Sequence, residues 1–256
     1  MNKRWLACAP VVLISAAVLV LSAASFAPVQ LKVIVSGGFN AAYRELLPEF
    51  ERTSGIMVTT TMGFSQGEGD TIAKQLARGV PADVVILAKE GLGDISADKI
   101  ATGTKVDLAE TPTGVSVRAG APKPDISTVE AFKQMLHRAK IVAIPPSTVG
   151  IHLRTKLYPQ LGMAEEMAAK TTTDNGALAK GDADIAIRAV SELLNIKGAD
   201  FVGTIPKEIQ FISVFSAAVV AGAKEPDAAR QLIAFLRSDQ ATAAIKKSGM
   251  EPSRAR

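Results

Sequence analysis

Cysteine, tryptophan and histidine are nearly absent. Among 256 residues there is one cysteine, one tryptophan and two histidines. Cys8 and Trp5 both fall in the first ten positions. The rest of the chain therefore offers no disulfide, no thiolate metal site and no cysteine nucleophile. His137 and His152 are too few for a histidine-built metal cluster, so no metal and no cofactor is expected. Charge of one sign is also lacking: 29 Lys and Arg against 25 Asp and Glu leave a formal net charge of +4. Lys3 and Arg4 precede any acid, and without them the charge is +2. That is too mild for a nucleic-acid partner.

A long apolar run occurs at the N-terminus. It covers residues 6–21, follows Lys3 and Arg4, and gives way to Ser22-Ala23-Ala24. This is the pattern of a secretory signal peptide, read here as residues 1–27. Cleavage follows Ala24 or Ala27, and Pro28 disfavours the second. A retained anchor is the alternative, but the run is short for a full span. Export to the periplasm is the expectation, with Cys8 and Trp5 lost. About 230 residues then remain, enough for one large domain or two lobes. The Ser253-Arg254-Ala255-Arg256 tail reads as frayed.

What is present is an alternation of strands and helices. Leu31-Lys32-Val33-Ile34-Val35 is an apolar, β-branched run of the kind buried on both faces. Ser36-Gly37-Gly38 then turns the chain into a helix, with Asn40 as its expected cap. Such a helix start favours an anion, although the same stretch also describes a plain turn that binds nothing. Tyr43, Leu46, Leu47 and Phe50 share one helical face, Pro48 predicts a kink, and Gly55 predicts the end. Strands are predicted at 56–62 and 83–88, around a glycine-rich loop at 63–69 and a helix at 71–78. Residues 106–118 read as extended, broken at Thr111-Pro112. Ser127-Thr128-Val129-Glu130 is a capping box.

A second α/β series follows. Strands are predicted at 141–144, 170–173 and 184–187, and helices at 151–161 and 175–181. A long strand at 211–221 and two terminal helices close the chain. Alternation of this kind predicts a parallel sheet with ligands beyond the carboxyl ends of its strands. Lobe 1 is read as residues 28–115 and 212–256, and lobe 2 as residues 116–211.

The order of the Ser-Gly-Gly turn, Leu46-Leu47-Pro48-Glu49-Phe50-Glu51, Ser54-Gly55-Ile56 and Gly79-Val80-Pro81-Ala82-Asp83-Val84 resembles a known family. So do Ala223-Lys224-Glu225-Pro226-Asp227-Ala228-Ala229 and Gly249-Met250-Glu251-Pro252. The chain is similar to the solute-binding proteins of ABC importers, in the molybdate-binding-protein-like branch. The resemblance implies an α/β, two-lobed type 2 periplasmic-binding-protein-like fold, its lobes joined by two crossover strands. It implies a monomer, a small anionic ligand in the cleft, and an inner-membrane ABC permease as partner.

The resemblance also locates departures. The serine positions of oxyanion-binding members fall near Gly38 and near Glu68-Gly69, and their tyrosine position falls near Ile187-Arg188. Arg118, His152 and Arg188 suit a carboxylate, so an organic acid is expected rather than molybdate. The candidate ligand-binding residues are Gly38, Phe39, Asn40, Ser65, Gln66, Arg118, Ser147, Thr148, His152, Asn175 and Arg188. Each has a plain structural role beside it: Arg118 and Arg188 as arginines at strand ends, Ser147, Thr148 and Asn175 as caps, and His152 as cover for a helix end. The alternative function is an exported isomerase on this scaffold, of the aconitate-isomerase kind. A proton shift in a tricarboxylate needs a base, which His152 or Glu68 could supply.

Overall fold

The computed structural model describes residues 29–253, so the leader assigned to residues 1–27 lies outside them. Ten strands form one sheet: β1 (Gln30–Ser36), β2 (Met57–Gly63), β3 (Val84–Ala88), β4 (Val106–Arg118), β5 (Val142–Ala143), β6 (Thr171–Thr172), β7 (Ile185–Ala189), β8 (Ala199–Thr204), β9 (Ile212–Val219) and β10 (Glu251–Pro252). Their order is β2-β1-β3-β9-β4-β7-β5-β6, with β8 and β10 added on β4. β1 runs parallel to β2 and β3, and β5 runs parallel to β6 and β7.

β4 and β9 join the two halves. The first half of β4, up to Pro112, pairs antiparallel with β9. From Thr113 to Arg118 it pairs with β7 and β8 instead. The expected break at Thr111-Pro112 is absent, and β4 is continuous over 13 residues. Pro112 sits where the strand changes partners, a place where a missing N–H disturbs the ladder least. At the same junction, the Gln210 amide stands in for a strand residue. Its Oε1 accepts from the N–H groups of Thr113 (2.7 Å) and Phe211 (3.0 Å). Its Nε2 donates to the carbonyls of Thr113 and Ile205, both at 3.1 Å.

Each half has its own core on both faces of its strands. Leu31, Val33 and Val35 of β1 pack with Phe39, Tyr43 and Phe50 on one side. Ile34 packs with Ile72, Leu76 and Leu87 on the other. Full burial of such side chains stabilises by about 1.5–3 kcal/mol each, which is what the unbroken apolar run of β1 encodes. In the other half, Val115, Phe132, Leu136, Ile144, Tyr158 and Ile187 share one cluster, and Ala143, Leu178, Ala186 and Leu193 another. The molecule is thus a two-lobed α/β fold.

Several local expectations shift. The first helix, Gly37–Ser54, starts at Gly37, so Ser36 is at the N-cap and Asn40 lies in the first turn. It passes through Pro48 without interruption, because its buried face of Phe39, Tyr43, Leu46 and Phe50 holds both halves on the sheet. Gly55 ends it at φ 71°. The helix Val129–Arg138 is capped by Thr128, whose Oγ1 accepts from Ala131 N at 3.1 Å, one residue later than the capping box predicts. The helix expected at 151–161 already begins at Thr148 and contains a wide turn at Leu153–Leu157. Residue 175 does not open a helix; Ala177–Lys180 does, with Gly176 at its N-cap. β8 and the helices Val190–Leu193 and Ala164–Lys170 were not foreseen.

Candidate functional site

A cleft of about 620 Å³ lies where the two lobes meet. Lobe 1 contributes the turn after β1 (Ser36, Gly37, Gly38, Asn40), Arg44, and the segment after β2 with Ser65 and Asp70. Lobe 2 contributes Ser147 and Thr148, Asn175, and the end of β7 with Arg188, Ser191 and Glu192. Ser213 and Phe215 of β9 also line it. These are the carboxyl ends of parallel strands β1, β2, β5 and β7, as the open α/β rule requires.

Two helices of opposite lobes begin at the cleft, and neither has a side-chain cap. Ser36 and Ser147 occupy the N-cap positions without bonding to the helix N–H groups. First-turn N–H groups have no partner within their own helix and carry the positive end of its dipole. Gly38 is required where it stands, because a Cβ there would run into the Phe215 ring.

The polar side chains of the cleft are short of partners. Ser36 Oγ, Asn40 Oδ1, Thr148 Oγ1, Ser191 Oγ, Ser213 Oγ and Arg188 Nε are all buried without a hydrogen bond. Leaving one such group unsatisfied costs roughly 1–3 kcal/mol, so six around one hollow need a polar occupant. Arg188 is 7% exposed and one of its terminal nitrogens donates to the Asn175 carbonyl at 3.1 Å. Ser65 accepts from Ala88 N at 2.9 Å, which leaves its hydroxyl proton to donate.

Glu192 is the acidic counterpart. Burial pushes its carboxyl up from the usual range, and only Arg188 acts against that. Its Oε1 lies 3.5 Å from where a Cβ on Gly37 would stand, so it reaches across to the first helix of lobe 1. Asp70, the other acid of the cleft, is engaged by Arg78 at 2.7 Å. Among the described residues, no group of three or more His, Cys, Asp or Glu is placed to hold a metal ion.

The candidates from sequence separate in space. Gly38, Asn40, Ser65, Ser147, Thr148, Asn175 and Arg188 come together around the cleft. Phe39 does not; it is fully buried in the first core, 6.3 Å from Phe215. Gln66 turns aside to donate to Asp94 at 2.7 Å. His152 stacks on Phe211, centroids 4.2 Å apart, and burial lowers its pKa. Glu68 is exposed, with its carbonyl accepting from Lys74 at 3.1 Å. Arg118 lines a separate hollow of about 380 Å³ with Arg138, Asp125 and Asp184. The reason is length: five residues past the junction at Thr113, at about 3.3 Å each, carry it beyond the cleft.

Sequence reasoning missed Arg44, Ser191, Glu192 and Ser213. The signal for Ser191 and Glu192 was available, since residues following a parallel strand belong to the cleft. It also counted the Gly-x-Ser-x-Gly turn of serine hydrolases as absent, whereas Gly63-Phe64-Ser65-Gln66-Gly67 has its letters. The context does not fit that chemistry, because neither histidine lines the cleft.

The comparisons with known proteins agree with this geometry. Residues 31–251 match the model of the family described as bacterial extracellular solute-binding protein. Aconitate isomerase of a Pseudomonas species is 35% identical over 229 residues, covering 87% of both chains. The molybdate-binding protein ModA of Escherichia coli (strain K12) is 24% identical over 234 residues, covering 86% of this chain and 88% of that one. The periplasmic molybdate-binding protein of Azotobacter vinelandii superposes with a TM-score of 0.70 at 19% identity, over 88% of this chain and all of that one. A two-lobed fold, an interlobe cleft at the strand ends and a family match over nearly the whole described chain lead to one assignment: this protein belongs to the bacterial extracellular solute-binding proteins, in their molybdate-binding-like branch.

Proposed function

We propose that the cleft captures a small organic anion bearing carboxylate groups, outside the cytoplasm, and that the loaded protein delivers it to an ABC-type permease. The observation that carries this reading is the set of six unpartnered buried polar atoms, Arg188 Nε among them, drawn from both lobes around one hollow. Arg188 supplies a forked cation suited to a carboxylate. Glu192 adds an acidic side chain to the cleft wall, and a compact dianion such as molybdate has no non-ionic face to present beside it. An organic acid can present a C–H or hydroxyl to that side instead. The lobes close on the ligand by bending at the crossover strands.

The test is a thermal-shift screen of the exported chain. A ligand at about a hundred times its dissociation constant adds roughly 2.7 kcal/mol, several degrees for a protein of this size. Di- and tricarboxylates are expected to raise the melting temperature, and molybdate, tungstate, sulfate and phosphate are not. A response to molybdate alone would refute the carboxylate reading.

A second reading is favoured by a specific pair of observations. The relative at 35% identity is named for isomerising aconitate, and the cleft holds one acid whose pKa is raised. On that reading the protein is an exported isomerase of a small polycarboxylic acid.

A further inference from the structure

We propose that Glu192 is the residue that carries a proton between two carbons of a polycarboxylate bound in the cleft, moving its double bond. The proposal rests on the isomerase reading and assigns the chemistry to one side chain.

Four ionisable side chains line the cleft among the described residues: Arg44, Asp70, Arg188 and Glu192. The arginines cannot act as bases near neutral pH. Asp70 is exposed and tied to Arg78. His152 and Glu68, the bases considered from sequence, face elsewhere. Glu192 remains. It sits four residues after Arg188, on the short helix Val190–Leu193 that follows β7, and projects toward Gly37 of the opposite lobe. A ligand clamped by Arg188 and by the helix start at Gly37–Gly38 would have its carbon chain beside that carboxyl.

The step balances within the ligand and Glu192. The carboxylate takes a proton from a methylene next to a ligand carboxylate. The C–H electron pair becomes the new double bond. The old π pair moves to the far carbon, where it is delocalised into that carbon's own carboxylate. Arg188 and the first-turn N–H groups stabilise the added charge. The Glu192 acid then returns the proton to the far carbon. Nothing is oxidised, and no water or other reactant is consumed. Glu192 is half-buried, and a carboxyl with a raised pKa is a stronger base than an ordinary one, which suits this transfer.

The experiment follows cis-aconitate with the exported protein in D2O by proton NMR. The wild type is expected to form the trans isomer and to lose methylene proton signal to deuterium. Glu192→Gln is expected to bind cis-aconitate within about threefold of wild type, by calorimetry, while both rates fall by about 10²–10⁴. Glu192→Asp keeps the function with a carboxyl one methylene shorter, and a reduced rate with a displaced pH profile is expected. Should Glu192→Gln fail to fold, an Asp variant with wild-type rate and profile would overturn the assignment. Undiminished turnover in Glu192→Gln overturns Glu192 alone and leaves the isomerase reading standing. A wild type that binds cis-aconitate without exchange or conversion overturns the proposal and leaves the binding reading. No binding of any polycarboxylate removes both.

Discussion

Gly67 of lobe 1 and the Pro146 carbonyl of lobe 2 meet so closely that a methyl group on Gly67 would collide with the oxygen. Gly67 also has φ +100°, a conformation that L side chains rarely adopt. Gly67→Ala is therefore expected to hold the lobes apart and weaken ligand binding at least tenfold by calorimetry. Gly79→Ala is the control, since Gly79 has φ +78° with nothing within 4 Å. It should lower stability by about 1 kcal/mol and leave affinity unchanged.

Arg188 lines the interlobe cleft and Arg118 the outer hollow. Arg188→Ala is expected to weaken carboxylate binding by about 1.5–3 kcal/mol, read as a lost thermal shift. Arg118→Ala should bind like wild type, because it borders the other cavity.

The Glu192 carboxyl is harder to ionise folded than unfolded. The folded state then holds the proton to higher pH, so its stability falls as pH rises above the unfolded value of about 4.3. Glu192→Gln removes that loss. Its melting temperature should exceed wild type at pH 7–8 and match it near pH 4. Equal melting at both pH values would contradict the raised pKa.

Gln210→Ala removes four hydrogen bonds and strands the N–H of Phe211 at the crossover. A loss of about 1–3 kcal/mol is expected, measured by urea unfolding. Glu at 210 should not rescue it, since a carboxylate cannot donate to the Thr113 and Ile205 carbonyls.

The strands of lobe 1 were legible because burial on both faces leaves a continuous apolar run, as in β1 and β3. The cleft turn at Ser36–Gly38 was legible for its glycines. Short elements were not: β8 is only half-buried and mixed in composition, and the helix Val190–Leu193 is one turn long. Glu192 stands in that turn and so went unread. Arg118 was misplaced because a pattern gives where a strand runs but not where along it the ligand lies. Pro48 predicted a kink that tertiary packing overrode.

Among the described residues, two strands, side by side and antiparallel, carry the chain between the lobes. Their shared ladder resists shear and splaying but permits flexing out of the sheet plane. On the proposed binding reading the pair acts as the spring of a caliper. A longer acid is then expected to open the jaws by an angle rather than by rearranging side chains, so that ligand length becomes lobe orientation, a quantity legible from outside the cleft.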